Sequence, residues 1–113
     1  MIAVRVWRDP TGSPKRLLVK GHAGQGPYGS DIVCAAASAL VETLLLGIRD
    51  ITPVDVRVDA NQEGRVDLTF PTGMDAAPRA VIETILYGLR DLAHTAPKAV
   101  AWNDSMVLED GEA

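Results

Sequence analysis

Apolar and polar positions alternate from the start of the chain. Ile2, Val4 and Val6 fall on one side of an extended segment and Ala3, Arg5 and Trp7 on the other, the period of a half-buried strand. Pro10, Thr11, Gly12, Ser13 and Pro14 then supply a turn, and Lys15 to Gly21 a second short strand, so the two read as a hairpin. After a glycine-rich stretch the spacing becomes helical. Cys34, Ser38, Val41, Leu45 and Ile48 share one stripe, which Leu40 and Leu44 widen. Ser30 or Asp31 is the expected N-cap, because its side-chain oxygen can accept from free amides in the first turn.

The second half repeats the order. Val54, Val56 and Val58 lie on one face of the segment Pro53 to Ala60, opposite Asp55, Arg57 and Asp59. Val66, Leu68 and Phe70 repeat that pattern beyond the turn Asn61-Gln62-Glu63-Gly64, which predicts a second hairpin with one dry and one wet face. From Asp75 to His94, Val81, Ile82, Ile85, Leu86, Leu89 and Leu92 are spaced as a helix, with Asp75 near its start and Pro97 beyond its end. Val100 and Trp102 suggest a last strand. The predicted fold class is therefore α/β in the order ββαββαβ: one sheet of two hairpins plus a C-terminal strand, covered by two helices. The two halves show no residue-level repeat.

Composition narrows the class further. At 113 residues, 47% hydrophobic and 23% charged, the chain reads as one globular domain able to bury a core without staples. The single cysteine, Cys34, excludes an intramolecular disulfide, and one thiol with His22 and His94 falls short of a zinc-ligand set. No metal and no cofactor are expected. Residues 1–102 carry all 11 Lys and Arg and 11 of the 15 acids, so Asp104, Glu109, Asp110 and Glu112 supply the whole excess of −4. This divides the chain into a domain over 1–102 and a solvated acidic tail over 103–113. Arg5, Arg8, Lys15, Arg16 and Lys20 face Asp9 alone within the first 20 residues, a local positive patch that reads as a solvated strand face. No secretory signal is expected, since Arg5, Arg8 and Asp9 interrupt the N-terminal segment. The apolar stretch Ile32 to Ile48, broken by Glu42, falls short of the ~20 residues of a membrane span, so the expected location is the cytoplasm, with no membrane partner.

The chemistry concentrates in Gly21 to Ser38, GHAGQGPYGSDIVCAAAS. A cysteine in the first turn of a helix faces unpaired amides and the positive end of the dipole, both of which favour thiolate. His22, at the end of the preceding strand, can be carried back to that turn by the loop Ala23 to Ser30. There its imidazole can support the thiolate and protonate a leaving amine during acyl transfer. Gly24, Gly26 and Gly29 suit a mobile lid over a substrate. Each residue alone has a plainer reading, Cys34 as a small core residue and His22 as a strand end; the joint arrangement is what points to a site. The same segment satisfies G-x-G-x-x-G from Gly24 to Gly29, but paired adjacent strands and the missing donor at Pro27 argue against a dinucleotide cradle.

Gly21-His22-Ala23, five residues, Gly29, one residue, then Asp31-Ile32-Val33-Cys34-Ala35 and Ser38 resembles the ribosomal-processing cysteine protease family, Prp. The agreement in length and element order extends over residues 1–102. The resemblance implies a cysteine endopeptidase that removes an N-terminal extension from ribosomal large-subunit protein twenty-seven in certain bacteria, cutting after a hydrophobic or aromatic residue. It also implies His22 and Cys34 as the catalytic dyad, a flexible loop between them, and a homodimer. Asp31 and Ser38 match family positions too. By its own chemistry Asp31 is either the N-cap or a carboxylate orienting His22, while Ser38, one turn beyond Cys34, suits a bond near the thiol or back to a helix carbonyl. His94, in the last turn of the second helix, suits the dipole and is given no catalytic role. The segment from Ala96 to Ala113 departs from the lysine- and tyrosine-containing ending of the family.

The expected partner is the N-terminal segment of a ribosomal protein as substrate, with no direct nucleic-acid binding. Two other classes stay open on the residues alone: a non-catalytic ribosome-associated binding module using the same surface, and a nucleotide-binding domain.

Overall fold

The structure is a computed structural model that describes residues 1–22 and 27–105, with side chains omitted for residues 27–31. Its elements are β1 (Ile2–Arg8), β2 (Pro14–Gly21), α1 (Pro27–Asp50), β3 (Arg57–Gln62), β4 (Arg65–Thr69), α2 (Ala76–Thr95) and β5 (Val100–Ser105). The order ββαββαβ is the one the hydrophobic pattern predicts. The five strands form one sheet ordered β3-β4-β2-β1-β5. Every neighbouring pair is antiparallel except β1 with β5. A doubly wound dinucleotide fold needs parallel strands joined by crossover helices, so the nucleotide-binding reading has no scaffold here.

Alternation decides which side of the sheet is dry. Val4 pairs with Val19 and Val6 with Leu17, and Leu17 in turn pairs with Leu68. All five belong to one core with Val41 and Leu44 of α1 and Ile82, Leu86 and Leu89 of α2. The helices thus cover a single apolar face, and the opposite face stays wet. There Trp7 lies between two guanidinium groups, Arg5 at 4.8 Å and Arg16 at 4.4 Å from its ring centre.

Several boundaries differ from those expected. The helix α1 begins at Pro27, so neither Ser30 nor Asp31 is its N-cap. A proline is well suited to a first helical position, because its φ is already set and its missing N–H has no partner to lose. The core stripe of α1 runs through Ala37, Val41, Leu44 and Ile48, and Ser38 turns outward to solvent. By length and composition Ile32–Asp50 is long and apolar enough to cross a membrane, a test that Glu42 was expected to make it fail. In the fold this segment supplies the core-facing stripe of α1.

The second hairpin starts later than the valine pattern implies. Val54 and Val56 precede β3, and Val58 is 49% exposed. Val58 pairs with Leu68 while Ala60 pairs with Asp67, so Asp59 is an extra residue that shifts the faces by one. The turn is the two residues Glu63-Gly64, shorter than the four-residue loop expected. At the other end β5 runs to Ser105, so residues 103–105 belong to the domain. Asp104 is a structural acid: Arg8 Nε donates to its Oδ1 at 3.0 Å, and Arg8 Nη1 donates to Glu83 at 2.9 Å. The residues beyond 105 lie outside the described part.

Part of the local positive patch is neutralised by acids far along the chain. Arg16 makes a two-pronged pair with Asp67, Nε to Oδ1 at 2.9 Å and Nη2 to Oδ2 at 2.8 Å. The side chain of Asp67 is only 8% exposed, and the hydrogen bonds from Arg16 hold its carboxyl below the usual 3.8. A lowered value means that the folded state binds this proton less tightly than the unfolded chain. The stabilisation is therefore complete above the unfolded value and is lost as pH falls through the folded one. Asp67→Asn should destabilise the domain by about 1–3 kcal/mol at pH 7, because Arg16 loses its charged partner. Urea melts of this variant should also lose less stability than wild type between pH 5 and pH 2, and an unchanged pH dependence would remove Asp67 as its source.

Candidate active site

The end of β2 is shaped by a glycine. Gly21 has φ +96, and a Cβ there would collide with the backbone carbonyl of Met1. No other residue fits that close approach without moving β1, so Gly21 is held by sterics as well as by its dihedral. Its N–H donates to the carbonyl of Gly64 at 2.9 Å, tying the end of β2 to the β3–β4 turn. His22 follows directly and is exposed. A side chain placed one residue after a clamped backbone position starts from a fixed point, which is what an acid–base group requires.

Cys34 sits half-buried on α1 and packs against the edge of the core. It is the eighth residue of the helix, where a first-turn position was expected. The difference changes the chemistry. An amide this far along is taken by the carbonyl four residues back, so the backbone N–H of Cys34 is not one of the open donors of a helix start. Support of the thiolate by the helix dipole, which acts within the first turn, weakens accordingly.

His22 and Cys34 line the same cavity, of about 420 Å³. Its floor is apolar, formed by Ile2, Val19, Ala37 and Val41, and its rim carries Glu42, Glu63 and Arg65. An apolar floor with a few polar groups at the mouth suits an extended peptide whose side chains enter and whose backbone stays near water. Ser38 also lines this cavity, from one turn beyond Cys34. Asp31 lies in the first turns of α1, but its side chain is outside the described residues, as are Gly24 and Gly26. Gly29 falls within α1 and is not part of a loop. His94 lines a separate hollow with Tyr87, Arg90 and Trp102.

The contribution of the β3–β4 turn was not visible in the sequence. Glu63, Gly64 and Arg65 reach the cavity because β4 pairs with β2, with Val19 opposite Val66 and Lys20 opposite Arg65. The turn itself was legible from Asn61-Gln62-Glu63-Gly64; its position beside His22 was not.

The family model described as the cysteine protease Prp matches residues 1–101. Among curated proteins, the ribosomal processing cysteine protease Prp of Staphylococcus aureus strain Mu50 is 36% identical over 64 residues, 54% of this chain and 59% of that protein. The chain thus spans about three-fifths of the length of the curated relatives it matches. Among solved structures, the essential ribosomal processing protease Prp from S. aureus, in complex with a covalently linked product peptide, superposes with a TM-score of 0.85 at 24% identity, covering 93% of this chain and all of that one. SMU.848 from Streptococcus mutans superposes with a TM-score of 0.79 at 28% identity, covering 93% and 94%.

The geometry around Gly21 yields a direct test. Gly21→Ala should cost at least ~2 kcal/mol in chemical denaturation, from the positive φ together with the clash at Met1. Gly12 has a similar φ of +87 but, among the described residues, nothing within 4 Å of a Cβ, so Gly12→Ala should cost only the dihedral part. Equal losses in the two variants would show that the approach to Met1 carries no load.

Proposed function

The chain belongs to the Prp cysteine protease family, and from that premise we propose that it is a cysteine endopeptidase working through Cys34 and His22. The observation that carries this reading is their meeting at one peptide-sized cavity, the thiol from α1 and the imidazole from the end of β2. The Cys34 thiolate attacks the scissile carbonyl, forming the C–S bond and a tetrahedral oxyanion. The imidazolium of His22 gives its proton to the departing amine as the C–N bond breaks, leaving a thioester. Water, losing a proton to His22, then adds to the thioester, and the thiolate leaves to restore the starting state. Oxyanion donors are not drawn from the amide of Cys34, which lies inside α1.

The proposed substrate is the N-terminal extension of ribosomal large-subunit protein twenty-seven, cut after an apolar or aromatic residue in the cytoplasm. Two features support this assignment. The curated relatives are named for ribosomal processing, and the apolar cavity floor suits such a side chain. We also propose a homodimer. Ile32, Leu46, Ile51 and Tyr87 are 70%, 50%, 73% and 69% exposed, a large amount of apolar surface for a domain of this size.

Cys34→Ala, Cys34→Ser and His22→Ala should each lower cleavage of an extension peptide by about a thousandfold or more. Their melting temperatures should stay within a few degrees of wild type, since all three substitutions are small and sit at exposed or half-buried positions. Mass spectrometry of the peptide digest reads the result, and wild-type cleavage by the Cys34 variants would end the protease reading. For assembly, light scattering should give twice the 12.0 kDa chain mass at micromolar concentration, and a particle of the single-chain mass would count against the dimer.

A further inference from the structure

The imidazole of His22 has an unusual neighbour. A Cβ added at Gly64 would lie 3.0 Å from His22 Nε2 and 3.4 Å from Cε1. The edge of the ring therefore occupies the space that any side chain at position 64 would need. The carbonyl of the same residue accepts the N–H of Gly21, the residue before His22. Gly64 thus bounds both the backbone that launches His22 and the ring at its far end.

We propose that Gly64 is a positioning residue for His22: the missing side chain in the β3–β4 turn sets where the imidazole rests on the wall of the Cys34 cavity. The proposal rests on the dyad reading and adds to it a residue from the second hairpin. A Cβ at Gly64 pushes the ring away from the turn, because the backbone of position 64 is pinned by its bond to Gly21 and by the Lys20–Arg65 register. His22 is exposed and free to give way, so the ring moves and the sheet stays. At 3.0 Å the ring must give by a few tenths of an ångström, and since a misplacement of about 1 Å costs up to a hundredfold in turnover, this smaller shift costs about threefold to tenfold.

A competing explanation is that Gly64 is needed only for its φ of +80. Two other glycines separate the two roles. Gly12 and Gly73 have φ +87 and +71, and a Cβ at either meets nothing within 4 Å among the described residues. Alanine at those sites brings the dihedral strain without touching His22. Gly64→Asn adds a further control, since asparagine tolerates positive φ better than alanine and still brings a Cβ.

The experiment compares Gly64→Ala, Gly64→Asn, Gly12→Ala and Gly73→Ala by thermal melting, by kcat and KM on an extension peptide, and by the ring-nitrogen resonances of the histidines. The chain has two histidines, and His94, on a separate hollow, is the internal reference. Gly64→Ala is expected to lose about threefold to tenfold in kcat, with KM within about twofold, and to shift the His22 resonances while those of His94 stay fixed. Gly64→Asn should recover stability but not kcat, and the Gly12 and Gly73 variants should lose stability alone. Unmoved His22 resonances in Gly64→Ala, or an equal loss of kcat in Gly73→Ala, would overturn the proposal. The two readings fail separately: cleavage that survives Cys34→Ala removes the dyad, whereas the His22 resonances decide the placement by Gly64 with or without turnover.

Discussion

The pairing of β2 with β4 is the contact on which the site depends. Each hairpin can form from local sequence, but a two-stranded ribbon is marginal alone in water, and only the β2–β4 ladder joins the two into a sheet. Closing that ladder means enclosing α1 and the chain around it, an ordering cost that the shared apolar face offsets. Leu17 against Leu68 and Val19 against Val66 supply that face. The last rung places Lys20 opposite Arg65, and just beyond it the Gly21 amide meets the Gly64 carbonyl. Fold closure and the placement of His22 are consequently the same event.

Electrostatics follow the same long-range logic. Arg8 finds Glu83 and Asp104, and Arg16 finds Asp67, so each cation of the first hairpin that is drawn inward meets an acid from a distant element. Such pairs matter more when partly desolvated than at an open surface, where ion pairs are worth little. The Arg16–Asp67 pair spans the β2–β4 ladder and reinforces it on the wet face, opposite the packing of Leu17 and Leu68. The exposed pair Arg49–Asp50, at the end of α1, has neither role.

What could be read from the sequence divides along the same line between local and long-range. The strands β1 and β2 and the helix α2 were legible because their periods of two and 3.6 are uninterrupted. The strand β3 was misplaced because a bulge at Asp59 shifts the faces, and a pattern of alternating valines carries no mark of a bulge. The start of α1 was put too late because Gly29, Ser30 and Asp31 look like loop and cap residues, whereas Pro27 is the residue that opens the helix. His22 and Cys34 were singled out from motif and chemistry, and both line one cavity, although the support for Cys34 was ascribed to a helix terminus from which it is distant. Gly64 was recognised as a turn and not as a neighbour of His22, since its proximity is created by a strand pairing that leaves no local trace.

The fold also limits how the walls of the cavity can change. Val19, Ala37 and Val41 line the cavity floor and belong at the same time to the hydrophobic core. Enlarging the cavity by shortening one of them removes packing from the core, at about 1–4 kcal/mol for a buried apolar side chain, a large share of a small domain's stability. Filling the cavity with a larger side chain strains the same core. The rim is under no such constraint. Glu42 is exposed and Glu63 lies in a two-residue turn, so either can change charge or size without disturbing the packing beneath. Depth and apolar character are thereby fixed by folding, while charge and side-chain size are free to vary at the rim. Within that rim Gly64 is the exception, because the only space beside it is already filled by the imidazole.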